Sequence, residues 1–442
     1  MKKLLIGFTL LGATLSASAQ VANVVLDNCV LKQNPHTRVV SVSYELTGDT
    51  PVYVTLDITT NNVSIPVPER VWGDITTIRN PTVIEPDDHA PKKIYWDAKY
   101  DWPSNLTTEA RATVTAWYTN DTPLNLIFVS KPLYVVVDLS KGPTADSYPV
   151  RTTYADPSSS PLCKTTELWL RHIPAGTFWM GSPSTEDGRN AAREDLHQVT
   201  LTKDFYIGVF PVTQRQWLQV KGAPNPSGFQ GDTRPVENLG FSGIRGSGAS
   251  GSDYDWPNKG YAVSATSFMG LLRLKTGLVF DLPTDAQWEY ACRAGTTTPL
   301  YSGKVMTDPD NCPNVAEIGR YYHNQSDGKG GYSANHTEVG SYLPNAWGLY
   351  DMHGNIGERV LDWHINSLTN GLPAGTVRVD PKGPGSSGSG NRVGRGASFN
   401  NFAGINATYA RSASRPSAIP ETLYTYYGFR VCILPAEVLT TP

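Results

Sequence analysis

The protein has 442 residues, and its 37 lysine and arginine side chains against 40 aspartate and glutamate side chains leave a net charge of −3 at neutral pH. This length is enough for two or three domains, each with a core of its own. The charge is nearly balanced and shows no basic stripe, which argues against nucleic acid as a partner.

The first nineteen residues have the three parts of a secretory signal peptide. Lys2 and Lys3 precede an apolar run at residues 4–13, and small residues follow at 17–19. The run is too short to span a bilayer, and the small triplet is typical of a cleavage site. We expect the mature chain to begin at Gln20, without a lipid anchor because this residue is not cysteine. The sequence therefore predicts a secreted or periplasmic protein that does not insert into a membrane.

Residues 20–140 are predicted to form an all-β domain. The segment TRVVSVSYELTG alternates apolar and polar side chains, which is typical of a half-buried strand, and VYVTLDITTN, KKIYWDAKY, ARATVTAWYTN and LYVVVDL resemble it. Roughly seven short strands at this spacing favour an immunoglobulin-like or fibronectin-like sandwich. No cluster of histidine, cysteine or carboxylate residues occurs here, so a spacer or docking role is the simplest interpretation.

Residues 141–163 are rich in proline, serine and threonine and are predicted to be a linker. The second domain, residues 164–436, contains three predicted helices in TQRQWLQVKG, ATSFMGLLRLKTG and TDAQWEYACRAG. Thr213 with Gln216 and Thr284 with Gln287 are capping boxes, and a glycine follows each helix. A domain of this size with so few regular elements needs other stabilising features, such as buried aromatic residues, a bound ion or disulfides.

The five cysteines have no spacing typical of a metal-binding motif. An exported protein can form one or two disulfides, and an odd number leaves at least one thiol unpaired within the chain. The cysteines are Cys29, Cys163, Cys292, Cys312 and Cys432.

Several motifs in the second domain resemble the formylglycine-generating enzyme, or sulfatase-modifying-factor, family. They are, in order, IPAGTFWMGS, VTLTKDFYIGVFPVTQRQW, RPVENL, LPTDAQWEYACRAGTTT, NAWGLYDMHGNIGE, RVGRGASF and YGFRV. The resemblance implies a C-type-lectin-like fold with sparse secondary structure. The predicted fold class is therefore α+β, an irregular domain of this family preceded by an all-β immunoglobulin-like sandwich.

The resemblance also bears on catalysis, because the generating enzymes hold copper with two cysteines that follow the motif matched by RGAS. The matching positions here fall at Asn401 and near Asn406, and no cysteine occurs between Cys312 and Cys432. Asparagine cannot supply the soft thiolate that Cu(I) prefers. We therefore expect no copper and no copper-dependent oxidation, and we interpret Ser398, which matches the family's active-site serine, as a turn residue.

Iron-dependent relatives of the ergothioneine-synthase type carry an additional helical domain with a histidine-rich motif. None of the eight histidines here forms a pair at helical ligand spacing, so no iron is expected. They are His36, His89, His172, His197, His323, His336, His353 and His364. A third branch resembles periplasmic pyoverdine-maturation oxidases, whose chemistry is thought to depend on a carboxylate. An atypical oxidoreductase or sulfatase-modifying factor using Glu358 or Glu421 is therefore the alternative function.

The motif DMHGNIGE resembles a loop that wraps a calcium ion in this family. The resemblance assigns the carboxylates of Asp351 and Glu358 and the carbonyl groups of Gly354 and Ile356 to Ca²⁺, which prefers hard oxygen ligands. The alternative is a turn stabilised by aspartate and asparagine side chains alone. The family's other calcium loop is not recognisable, so one structural ion is predicted, with His353 at the surface rather than bound to it.

Residues 399–427 are rich in tyrosine, asparagine, serine and threonine, a composition typical of binding surfaces that combine rigid contact area with adaptable hydrogen bonds. The segment resembles the ligand-binding stretch of variable proteins diversified by retroelements, although a packed aromatic core is the alternative. We expect a protein or glycan ligand and no enzymatic activity. The predicted ligand-binding residues are Asn401, Asn406, Tyr409, Tyr424 and Tyr426, between buried framework residues Gly396, Ser398, Gly428 and Phe429.

Overall fold

The computed structural model divides the chain into two bodies, residues 1–131 and residues 132–442. In the first body the structure describes mainly the strands, at residues 14–19, 24–33, 39–48, 51–60, 63–64, 71–73, 75, 84, 91–97 and 110–118. In the second body it describes residues 134–153, 157–246, 263–325, 335–368, 375–384, 389–400 and 407–433.

The described part of the first body consists of strands in two sheets of four. The strands are β1 (Thr14–Ala19), β2 (Val24–Gln33), β3 (Val39–Gly48), β4 (Val52–Thr60), β5 (Val63–Ser64), β6 (Val71–Gly73), β7 (Lys92–Asp97) and β8 (Ala110–Tyr118). The sheet orders are β1-β8-β4-β5 and β2-β3-β7-β6.

Strand β3 shows the predicted period of two, because Val40, Val42, Tyr44 and Leu46 are all buried while the residues between them are half-buried. The strands predicted in this region are therefore confirmed where the structure describes them, and the all-β, immunoglobulin-like type remains a prediction. Strand β1 falls inside the predicted signal peptide, whose cleavage also remains a prediction.

Among its described residues, the second body contains three sheets whose strands are mostly short. The strands are β9 (Tyr134–Asp138), β10 (Val150–Thr153), β11 (Glu167–Ile173), β12 (Gly176–Met180), β13 (His197–Leu201), β14 (Phe205–Gly208), β15 (Gly357–Trp363), β16 (Arg378–Val379), β17 (Arg392–Arg395), β18 (Ser417–Ala418), β19 (Tyr427–Gly428) and β20 (Cys432–Ile433). The sheet orders are β10-β9-β11-β14-β20, β12-β13-β16 and β18-β17-β15-β19.

The boundary between the two bodies lies earlier than the sequence analysis placed it. Strand β9, assigned there to the sandwich, pairs in antiparallel fashion with β11 and with β10, which lies in the predicted linker. The physical reason is burial on both faces, since Tyr134, Val135, Val136 and Val137 are all buried. This run is therefore an inner strand of the second body.

The three predicted helices are present, together with two single-turn helices, among the described residues. Both predicted capping boxes form, because the Thr213 and Thr284 hydroxyl groups accept from the backbone N–H groups of Gln216 and Gln287. No helix in the described ranges is long and apolar enough to cross a membrane. The helices are α1 (Gln214–Lys221), α2 (Phe241–Ile244), α3 (Phe268–Thr276), α4 (Asp285–Arg293) and α5 (Pro313–Ala316).

Buried arginines paired with carboxylates supply much of the cross-linking that this sparse fold requires. Arg395 contacts Asp285 and Glu289 of helix α4, with 3.0 Å between its Nη2 and Glu289 Oε2. Arg411 binds the Glu194 carboxylate through two hydrogen bonds of 2.8 Å. The four cysteines whose side chains the structure describes are all buried free thiols. Among the described residues, the arginine–carboxylate pairs therefore connect distant segments without disulfides.

Candidate functional site

A tight turn follows strand β17 and contains the RGAS motif. Gly396 and Ala397 both adopt left-handed backbone conformations, with φ of 84° and 59°. A Cβ on Gly396 would lie 3.2 Å from Trp288 Cζ2, so glycine suits both the conformation and the space. The Ser398 hydroxyl donates to the Asn400 carbonyl at 2.7 Å and accepts from the Asn400 N–H at 3.2 Å. This hydroxyl therefore serves the turn, as interpreted from the sequence.

The residues predicted as framework are buried, which confirms that part of the prediction. Gly396 and Ser398 lie in the turn, while Gly428 and Phe429 lie at and just after strand β19. A Cβ on Gly428 would approach the Val236 carbonyl oxygen to 2.7 Å, so only glycine fits there without a shift.

The structure brings two of the five predicted ligand-binding residues together. The rings of Tyr424 and Tyr426 are half-buried and lie 4.9 Å apart between centroids. Tyr409 is also half-buried, in a 3₁₀ turn, and packs against the main hydrophobic core. Asn401 and Asn406 lie outside the described residues. A single binding patch made by all five therefore remains a prediction.

Arg359 contacts the segment that carries Tyr424 and Tyr426 from the buried side of that segment. We call residues 419–426 the C-terminal loop. The fully buried Arg359 donates through Nη1 to the Ile419 carbonyl at 3.1 Å and through Nη2 to the Thr422 carbonyl at 2.8 Å. Its guanidinium also lies over the rings of Tyr424 and Tyr427, at 5.8 and 5.5 Å from their centroids. One cation thus fixes the backbone of the loop and the rings beside it.

Bonds to the Asn238–Ser242 region fix the other side of the C-terminal loop. The Asn238 N–H donates to the Tyr424 carbonyl at 2.9 Å. The Glu421 carboxylate accepts from the Ser242 hydroxyl at 2.6 Å and from the Ser242 N–H at 3.2 Å. Glu421, a candidate for carboxylate chemistry in the sequence analysis, therefore anchors the loop to helix α2.

The anchored loop exposes two aliphatic side chains that the sequence analysis did not single out. Ile419 is 51% exposed and Leu423 is 60% exposed. Both stand out in the sequence as large aliphatic residues in a segment otherwise rich in tyrosine and threonine, AIPETLYTYY, and this contrast is the signal that could have found them.

Asp351, at the start of the predicted ion loop, has the environment expected of a cation ligand. Its side chain is fully buried, and Oδ2 accepts from the Gly340 N–H at 2.7 Å. Oδ1 is buried and has no hydrogen-bond partner in the described part of the chain. Burial raises the pKa of this carboxyl to about 6. An orphaned, buried carboxylate oxygen is a group that a bound cation would satisfy.

Two of the other predicted ligands of this loop, Gly354 and Glu358, already have partners. Glu358 accepts from Arg430 through both oxygens, at 2.6 and 2.5 Å, and from Trp288 Nε1 at 2.8 Å. The Gly354 carbonyl accepts from the Ile356 N–H at 2.9 Å. Calcium would therefore have to use the lone pairs that these bonds leave available. Among the described residues, no group of three or more histidine, cysteine or carboxylate side chains is arranged to hold a metal.

His353 lies in the interior, so its predicted surface position is wrong. Its Nδ1 donates to the Ala410 carbonyl, and its Nε2 accepts from the Tyr301 N–H at 3.0 Å. Burial lowers the pKa of His353 to about 3, so the ring is neutral. The loop turns inward at this point because both ring nitrogens find partners among the surrounding backbone groups.

Comparisons with known proteins find relatives of the second body and identify its family. The chain is 32% identical over 212 residues to chaperone protein LppX of Paenibacillus barcinonensis, covering 42% of this chain and 70% of that protein. It is 34% identical over 150 residues to the formylglycine-generating enzyme of Streptomyces coelicolor, covering 34% of this chain and 45% of the enzyme, which is less than half of that enzyme's length. A solved structure of PvdO from Pseudomonas aeruginosa is similar at 24% identity with a TM-score of 0.45, covering 60% of this chain and 94% of PvdO. Residues 157–434 match the sulfatase-modifying factor enzyme 1-like domain, and the chain therefore belongs to the formylglycine-generating enzyme, or sulfatase-modifying-factor, family.

Proposed function

We propose that this protein is an exported member of the family that works by binding a protein or glycan ligand through its C-terminal loop. The observation that carries the proposal is the exposure of Ile419 and Leu423 on a loop whose backbone the buried Arg359 fixes. A rigid surface loses little conformational entropy when it binds, so apolar contacts made there contribute more of their free energy to binding. Tyr424 and Tyr426 add aromatic contact area beside them.

A protein ligand suits this surface better than a glycan. Exposed isoleucine and leucine bury apolar area against another apolar surface, whereas sugar recognition relies mainly on stacking and hydrogen bonds. The relative named as a chaperone also supports a polypeptide ligand. A phage-displayed peptide library and a glycan array, both probed with the full chain, separate the two ligand classes. If neither the peptide library nor the glycan array yields a bound ligand, the proposal is contradicted.

Copper-dependent oxidation is not part of the proposed function. The sequence has no cysteine between Cys312 and Cys432, so the RGAS region has no thiolate to offer Cu(I). The carboxylate alternative is also weakened, because Glu358 is bonded to Arg430 and Glu421 to Ser242. A carboxylate held in these bonds is poorly placed to act as a general base.

We expect no conversion of a sulfatase peptide containing the CxPxR motif to its aldehyde, with or without Cu(I). The physical reason is the missing thiolate pair. Mass spectrometry of the peptide after incubation measures the outcome, with an active generating enzyme as the positive control. Copper-dependent aldehyde above background would contradict the expectation.

We also propose that one structural Ca²⁺ binds at the loop of Asp351, Gly354, Ile356 and Glu358, supported by the orphaned Asp351 oxygen. The ion would neutralise the buried carboxylate and fix the loop beneath the RGAS turn, whose Gly396 carbonyl accepts from the Gly354 N–H.

Calcium is expected to raise the melting temperature of the second body. A ligand that binds only the folded state stabilises it by about 2.7 kcal/mol at a hundredfold excess over its dissociation constant. Asp351→Asn should remove the shift, while Asp310→Asn at an exposed position should keep it. Scanning calorimetry in Ca²⁺ and in EGTA measures the melting temperatures of the wild type and of both variants. Equal melting temperatures of the wild type in the two buffers would show that the loop binds no calcium.

A further inference from the structure

Two buried ionisable side chains near the C-terminal loop remain without a complete set of partners. Glu237 is fully buried; its Oε1 accepts from the Phe229 N–H at 2.9 Å, and its Oε2 has no hydrogen-bond partner in the described ranges. His336 is also fully buried, and neither of its ring nitrogens has a hydrogen-bond partner there. The two side chains face each other, with 3.7 Å between His336 Nε2 and Glu237 Oε1.

Aromatic rings enclose this pair on one side. The Phe229 and Phe399 rings stand nearly perpendicular to the His336 ring, at centroid distances of 5.6 and 5.7 Å. A Cβ on the exposed Gly228 would lie 3.7 Å from Glu237 Oε1 and 3.2 Å from Thr425 Cγ2 of the C-terminal loop. Glu237 therefore lies beneath the exposed Gly228, beside the C-terminal loop.

The distance between the two side chains and their chemistry both suit a metal ion between Glu237 and His336. The 3.7 Å separation is longer than a hydrogen bond between nitrogen and oxygen. Two ligands that each lie about 2.1 Å from one tetrahedral ion are separated by about 3.4 Å. A buried carboxylate requires a cation or a proton to compensate it.

We propose that Glu237 and His336 are the two protein ligands of a divalent transition-metal ion, with zinc as the simplest case. One nitrogen and one carboxylate oxygen form a donor set that suits zinc and its neighbours rather than calcium. The remaining coordination positions belong to water. The site is separate from the Asp351 loop and does not depend on the proposed function.

The test uses the full chain stripped with EDTA and then titrated with Zn²⁺ or Co²⁺ alone. We expect Zn²⁺ to raise the melting temperature and Co²⁺ to give a visible absorption band. His336→Phe keeps an aromatic ring between Phe229 and Phe399, and Glu237→Gln keeps an acceptor for the Phe229 N–H. Each variant should fold, lose the cobalt band and bind Zn²⁺ at least tenfold more weakly by calorimetry.

Asp310→Asn, at an exposed position, is the control, since it should leave the zinc and cobalt responses unchanged. No response of the wild type to either ion would overturn the proposal, and an ordered water between the two side chains would then be the simpler explanation. A response that survives in both His336→Phe and Glu237→Gln would place the metal elsewhere and would overturn it equally.

Discussion

Replacing Arg395 by methionine is expected to lower the free energy of unfolding by about 3–5 kcal/mol. The side chain is fully buried, contacts the carboxylates of Asp285 and Glu289, and donates to the Ser412 and Ser414 carbonyls at 2.9 and 3.2 Å. Methionine fills a similar volume but leaves two carboxylates with one cation fewer in the interior. Urea denaturation of the full chain, followed by a probe of the second body, measures the loss.

The same substitution should also change how stability depends on pH. Burial by itself would raise the pKa of Asp285, but the charges of Arg395 and Arg415 outweigh it and hold the pKa below its ordinary value. The stability that ionised Asp285 contributes is therefore present above the ordinary aspartate pKa and is lost as the pH falls through the lowered one. We expect the defect of Arg395→Met to be largest at neutral pH and smaller in acid.

Arg215 provides the control, because it is exposed on helix α1. Arg215→Met should change stability by no more than about 0.5 kcal/mol. If both substitutions destabilise equally, or if Arg395→Met proves neutral, the view that buried ion pairs connect this sparse fold is wrong.

Replacing Ile419 and Leu423 together by serine is expected to weaken ligand binding at least a hundredfold with little loss of stability. Each side chain is large, apolar and more than half exposed on a loop that Arg359 holds in place. Hot-spot contacts at the centre of an interface are worth about 2 kcal/mol or more each, whereas exposed substitutions usually change the free energy of folding by no more than about 0.5 kcal/mol. Calorimetric titration with a peptide or glycan selected on the wild type measures the affinity.

Leu274 and Leu343 are matched controls, because they are 73% and 69% exposed and lie outside the C-terminal loop. Their replacement by serine should leave binding unchanged. Equal losses in the control variant would point to non-specific adhesion. A double loop variant that still binds the selected ligand would place the binding surface elsewhere on the protein.

Local signals in the sequence determined much of the secondary structure and the family. The capping boxes at Thr213 and Thr284 form as predicted, because a cap depends on residues three apart. The alternation in strand β3 also survives, since a half-buried strand needs only its own period of two. The ordered motifs identified the family, which the match over residues 157–434 shows.

The tertiary structure alone decided which charges meet and which side chains remain exposed. Arg395 and Asp285 are 110 residues apart, and Arg430 and Glu358 are 72 apart, so no local pattern pairs them. The same holds for His353, which packs inside because the Tyr301 and Ala410 backbone groups reach its ring. It holds also for Ile419 and Leu423, which are exposed on a loop that Arg359 contacts from 60 residues away along the chain. Burial of a charge or exposure of an apolar group depends on distant partners, and only the folded chain brings those partners into contact.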